Sequence, residues 1–182
     1  MYSNKLHPGS EFPSLVVSDR AGQTRDLSRP SPEFAWLLLV VYRGRHCQMC
    51  TRYLNGLAKA AASLAKAGIE LVAVSADSPA QLDQHRESLG VDFPLYHSLS
   101  VEQMLSLGLY ISDPIGEAET DHRFAEPAMF VLDHEARVRM VDISNGPFAR
   151  PDIETLSFGL GWLREPDNDY PIRGTSEASQ PR

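Results

Sequence analysis

Two near-continuous apolar runs, Trp36–Tyr42 and Ile69–Ser75, bracket a segment of helix-forming, alanine-rich residues from Gln48 to Ala67. A run that is apolar without alternation suits a strand covered on both faces, the situation of strands in parallel sheets. Between the runs, Tyr53, Leu54, Leu57, Ala61, Leu64 and Ala65 recur at helical spacing. Gly68 stands where a helix C-cap needs positive φ. Ser78 and Pro79 then open a second helix, running to about Leu89, with Ser78 as N-cap and Pro79 at the first helical position. Strand, helix, strand, helix in this order predicts a parallel α/β core.

The flanking chain reads as additions to that core. Leu15–Ser18 and Thr24–Leu27 flank a polar turn containing Gly22, which predicts an N-terminal β-hairpin. Ser100 caps a short helix, and the polar stretch Ser112–Glu126 reads as a loop. Ala128–Asp133 and Val138–Asp142 pair as a hairpin through His134–Ala136, and Asp152–Arg164 forms a last amphipathic helix. Residues 1–164 make one domain; the polar, proline-bearing tail 165–182 is expected to be ordered only if it docks. A net charge of −7 without basic runs argues against nucleic acid and anionic membrane as partners. Residues 1–20 lack the apolar core of a signal peptide and no run approaches ~20 apolar residues, so the expected location is cytoplasmic.

Both cysteines lie in one tetrapeptide, Cys47-Gln48-Met49-Cys50, at the junction between the first apolar run and the helix. A cysteine at a helix N-terminus meets free backbone N–H groups and the positive end of the helix dipole, which stabilise a thiolate. Cys47, exposed at the helix start, is the expected nucleophile, and Cys50, one turn on, the resolving thiol. Arg43, Arg45 and His46 add positive charge close by. In a reducing cytosol such a pair suits a cycling disulfide better than a structural one. Two plainer readings compete: half of a zinc site, or inert buried thiols. Zinc lacks its other ligands, since His7, His85, His97, His122 and His134 are scattered. No strand–GxGxxG–helix fingerprint is present, so neither flavin nor nicotinamide is implied, and no cofactor is expected. Trp36, Tyr42, Tyr53 and Phe130 read as core and site walls.

The segments Tyr42–Cys50, Leu71–Asp77 and Pro127 with Phe130–Asp133, together with Pro13 and the hairpin after it, resemble the AhpC/TSA, or peroxiredoxin-like, branch of the thioredoxin superfamily. They follow the family's order over about residues 8–163. Arg43-Gly44-Arg45-His46-Cys47-Gln48-Met49-Cys50 is similar to the subgroup with Arg-Gly-x-Trp-Cys-Pro-x-Cys, with His46 for Trp and Gln48 for Pro. The resemblance implies an α/β thioredoxin-like fold: a central mixed β-sheet flanked by helices, with the hairpin as an N-terminal extension and the dithiol at a strand–helix junction. It also implies a cis bond before Pro127, whose backbone would hold substrate beside the nucleophile.

The departures bear on chemistry. Peroxiredoxins carry threonine where Gly44 stands and an arginine in the strand approach occupied by Pro127. Thioredoxins carry a buried aspartate where Val41 stands. Gly44 is expected to permit a sharp turn or a close backbone approach. Arg43, Arg45 or Arg123 could replace the missing arginine and Glu126 could relay a proton; the alternative for each is a solvated surface residue. The implied activity is that of a thiol-dependent oxidoreductase acting on peroxides or disulfides. An external thiol donor, such as a thioredoxin or glutathione system, would regenerate it, and a homodimer is compatible. The rival is a non-catalytic redox sensor or partner-binding module of the same fold.

Overall fold

A computed structural model describes residues 4–176. Its frame is a seven-stranded mixed sheet whose strands lie side by side in the order Thr24–Asp26, Val16–Asp19, Leu95–His97, Ile69–Val74, Trp36–Val41, Ala128–Asp133, Val138–Ile143. The expected strand–helix–strand unit is present as β3 (Trp36–Val41), α1 (Gln48–Lys66) and β4 (Ile69–Val74), with β3 and β4 parallel in unbroken register from Trp36↔Ile69 to Val41↔Val74. All residues of both strands are buried. The pleat sends their side chains alternately to two cores. Leu37, Leu39 and Val41 join Leu15, Leu27, Met104 and Phe130 on one face; Leu38, Val40 and Tyr42 join Leu54, Leu57, Leu82 and Leu160 on the other. Each such fully buried leucine contributes roughly 2 kcal/mol of burial free energy, so the centre of the sheet is the firmest part of the molecule. The dithiol is attached to that centre.

The hairpin β1 (Val16–Asp19)/β2 (Thr24–Asp26) turns at Gly22, whose φ is +76°. The second hairpin, β8 (Ala128–Asp133)/β9 (Val138–Ile143), turns with Ala136 at φ +59°. Three helices complete the layers: α2 (Pro79–Arg86), α3 (Val101–Ser106) and α4 (Ile153–Leu163), capped by Ser78, Ser100 and Asp152 as their side chains predict. Among the described residues no helix is long and apolar enough to cross a membrane.

Four expectations need correction or completion. Helix α2 stops at Arg86, short of Leu89. The stretch read as a loop from Ser112 opens and closes as a small antiparallel ribbon, β6 (Ile111–Ser112) with β7 (Phe124–Ala125); two residues per strand are too few for any periodic signal. Strand β5 (Leu95–His97) was not anticipated for the same reason, yet it joins β4 to the N-terminal hairpin. The tail is docked as far as it is described. Trp162 and Tyr170 meet edge-on at 5.4 Å, Asn168 donates to the Trp162 carbonyl, and Tyr170–Arg173 line one side of a cavity of about 180 Å³ with Pro8 and Trp36. Residues 177–182 lie outside the described part.

One buried ion pair ties the hairpin to the core. Glu70, at the start of β4, accepts two hydrogen bonds from Arg25 (2.5 and 2.7 Å) and two from Ser31. Burial alone would raise the Glu70 pKa, but these donors outweigh it and hold the carboxyl below its usual range. A depressed folded-state pKa stabilises the fold above the unfolded value, near ~4.3, and the gain is lost as pH falls through the folded pKa. Glu70→Gln is therefore expected to cost about 3 kcal/mol at pH 7. In urea unfolding the gap to wild type should close as pH is taken down through the Glu70 titration. A gap that does not narrow would mean the charge is not what the pair contributes.

Candidate active site

Strand β3 ends at Val41, and Tyr42 still donates to the Val74 carbonyl of β4. The chain then turns sharply through Gly44, at φ +131°, a backbone region that favours glycine. Space demands glycine too: a Cβ at this position would lie 2.5 Å from an Asp77 oxygen. Asp77 is buried just beyond β4, where it accepts from the Arg45 backbone N–H (2.8 Å) and from the Ser75 hydroxyl (3.1 Å). Burial raises its pKa, while the hydrogen bonds from Arg45 and Ser75 pull the other way.

This turn delivers Cys47 as the N-cap of α1, with extended backbone angles (φ −95°, ψ 94°). The Cys47 sulfur accepts from the Cys50 backbone N–H at 3.2 Å, a first-turn donor of the helix that it shares with the Cys47 carbonyl at 3.0 Å. The two Cα atoms are 5.2 Å apart and the sulfurs lie at disulfide-bonding contact. The order of accessibility follows expectation but the extent does not. Cys50 is fully buried, and Cys47 is only 5% exposed. Capping draws the Cys47 sulfur inward over the first turn, and both sulfurs join the core under α1.

The positive charge anticipated around Cys47 is also redistributed. His46 is held neutral: burial first, and then the neighbouring Arg43 charge, push its pKa down to about 4. Its ring packs 4.6 Å from Phe124. Arg43 is largely buried between two carboxylates, donating to Glu119 at 3.0 Å and lying 3.6 Å from Glu126, with its guanidinium over the Phe124 ring at 4.6 Å. Glu126 is buried and accepts from the Ser112 hydroxyl at 2.6 Å. Arg45 is anchored by its backbone, with an exposed side chain. Arg123 forms a surface pair with Asp113, both well exposed. The fold thus gathers Arg43, Gly44, His46, Cys47, Cys50 and Glu126 and leaves Arg123 outside.

Pro127 is beside the site, though the bond before it is not the cis one expected: the described residues contain no cis peptide bond. Glu126 donates from its backbone to the Tyr110 carbonyl, and the Pro127 carbonyl accepts from the Ser144 N–H. The segment is thereby held extended from β7 into β8, which the ordinary trans bond satisfies. Ala128 pairs with Val41, so Pro127 faces the chain just where it leaves β3 for the dithiol.

Residues 8–141 match the AhpC/TSA family over most of the chain's length. The chain belongs to the AhpC/TSA family. As a member it is a thiol-dependent oxidoreductase of the peroxiredoxin-like class. Solved structures share the fold at low sequence identity. A peroxiredoxin-like protein from Aquifex aeolicus superposes with a TM-score of 0.71 at 17% identity, over 88% of this chain and 89% of that one. Peroxidoxin BcpB from Mycobacterium tuberculosis does so with 0.71 at 18%, over 87% and 97%. A thiol peroxidase from Chromobacterium violaceum gives 0.66 at 16%, over 90% and 91%. No curated protein sequence matches the chain.

Within this AhpC/TSA frame several site residues carry little or no signal of their position in sequence. Asp77 is a buried carboxylate at the end of β4, although none stands at Val41 on β3; its clue was the Ser75-x-Asp77 step directly after an apolar strand. His85, buried in α2, reaches the Thr51 hydroxyl of α1 at 2.8 Å and is kept neutral by burial, its pKa near 4. Arg150 donates to the Met49 carbonyl inside the CxxC at 2.9 Å and lies 4.2 Å over the Tyr53 ring. Glu119 sat in an unpatterned polar stretch. Only folding brings it to Arg43.

Proposed function

We propose that Cys47 and Cys50 cycle between dithiol and disulfide, with Cys47 attacking small peroxides or disulfides and Cys50 resolving the product. The observation that carries this reading is the Cys47 sulfur capping α1 with Cys50 one turn behind it. With a peroxide, the Cys47 thiolate attacks one oxygen, the O–O bond breaks, and the departing oxygen leaves as water or alcohol after protonation. The Cys47 sulfenic acid then reacts with the Cys50 thiol, forming the disulfide and releasing water. With a disulfide substrate, Cys47 forms a mixed disulfide that Cys50 displaces. Either way two electrons return from an external thiol donor, of the thioredoxin or glutathione kind. Burial of the sulfurs favours small substrates.

Arg43 is the arginine that best fits the task of polarising a peroxide. It precedes the dithiol on the same turn, and Glu119 and Glu126 fix its guanidinium. Glu126, carrying one oxygen beyond the Ser112 hydrogen bond, is the neighbouring group suited to move a proton. The test is single-turnover oxidation of the reduced protein by hydrogen peroxide. Arg43→Ala is expected to slow it about 10²-fold, the usual effect of removing one electrostatic donor, and Arg123→Ala less than about twofold, as for a solvated surface pair. Equal effects of the two substitutions would remove Arg43 from this role.

A further inference from the structure

Glu119 joins two parts of the chain that are distant in sequence. One of its oxygens accepts from Arg43 Nη2 at 3.0 Å, and the other accepts from the Ile115 backbone N–H at 2.8 Å. A single carboxylate thus gathers the 113–123 segment and fastens it to the turn that carries the dithiol. Both partners are about four-fifths buried, with side-chain exposures of 18% and 19%, so solvent screens the pair far less than a surface ion pair. The same segment is held at its edges, where Asp121 accepts from Gln81 at 2.8 Å and His122 lies 3.8 Å from the buried Asp77. At its outer end Ile115 is 96% exposed. The turn to which the segment is fastened leads directly into Cys47, which is only 5% exposed.

We propose that Glu119 is a specificity-determining latch: with the Arg43–Glu119 pair closed, only small thiols and peroxides reach the dithiol, and a protein dithiol reaches it only after release. This rests on the reading that Cys47 and Cys50 cycle. The affected step is reduction. A donor thiolate attacks one sulfur of the Cys47–Cys50 disulfide, the S–S bond breaks, and the departing cysteine sulfur takes a proton. The donor's second thiol then displaces the mixed disulfide, so the donor leaves as a disulfide and both cysteines as thiols. The attacking sulfur must approach along the S–S axis. Dithiothreitol brings only a few atoms to that approach, whereas a thioredoxin brings a protein surface that meets the 113–123 segment.

The experiment compares second-order rate constants for reduction of the oxidised protein by reduced thioredoxin and by dithiothreitol. Glu119→Gln keeps an acceptor for the Ile115 N–H but removes the charge, and is expected to raise the thioredoxin-to-dithiothreitol ratio about tenfold, the scale of one charged hydrogen bond. Glu119→Ala removes both contacts and should raise it further. Asp113→Asn is the control: it loosens the same segment only at the exposed Asp113–Arg123 pair and should leave the ratio within about twofold of wild type. An unchanged ratio in both Glu119 variants, or an equal rise in Asp113→Asn, would overturn the latch. An oxidised protein with no disulfide for dithiothreitol to reduce would instead overturn the cycling of Cys47 and Cys50.

Discussion

Cys47→Ser is expected to abolish turnover with peroxide and thiol donor, by at least ~10³-fold, because a serine hydroxyl at neutral pH offers no counterpart to a thiolate. Cys50→Ser should behave differently. Its Cys47 keeps the N-cap position and the backbone N–H at residue 50, since that hydrogen bond comes from the main chain. The variant should therefore complete one oxidation and then stall with Cys47 as a sulfenic acid or a mixed disulfide. Rapid-quench mass spectrometry over the first turnover distinguishes the two. Full turnover by Cys47→Ser with loss in Cys50→Ser would exchange the roles. A wild type that oxidises and reduces but never turns over with any donor would favour the redox-sensor alternative.

Gly44→Ala should have the second largest effect, through the backbone. A non-glycine residue at φ +131° is strained by roughly 1–3 kcal/mol, and the added Cβ would meet the buried Asp77 carboxylate at 2.5 Å. Asp77 has little room to yield, because it holds the Arg45 N–H and the Ser75 hydroxyl. The expected loss of stability is about 3 kcal/mol in urea unfolding. The rate of Cys47 alkylation should change with it, because the same turn sets the position of the N-cap. A variant within ~0.5 kcal/mol of wild type and with unchanged alkylation would mean that Gly44 does not hold the turn.

Legibility in sequence tracked the number of residues that contribute to each signal. Strands β3 and β4 and helix α1 rest on long runs of one period, and all three lie where the pattern placed them. Strand β5 and the β6/β7 ribbon are two or three residues long, too short to show a period. His46 illustrates a different limit. Its type and its neighbours suggested a cation, but burial beside Arg43 removes the charge. A titration state depends on desolvation, and desolvation is a property of the packed molecule.

The sequence by itself determined that two apolar strands flank a helix and that a CxxC stands at the first junction, because strand and helix periodicity and local capping chemistry are carried by neighbouring residues. It also carried the family, since those segments occur in the family's order. Tertiary structure alone decided which charged groups surround the dithiol. Arg43 meets Glu119 and Glu126 across more than seventy residues of chain, whereas Arg123 ends in a surface pair. It also decided that Cys47 is buried, that Asp77 stands behind Gly44, and that the bond before Pro127 is trans. Each of these depends on contacts between segments remote in sequence, and no local pattern of residues specifies which remote groups will meet.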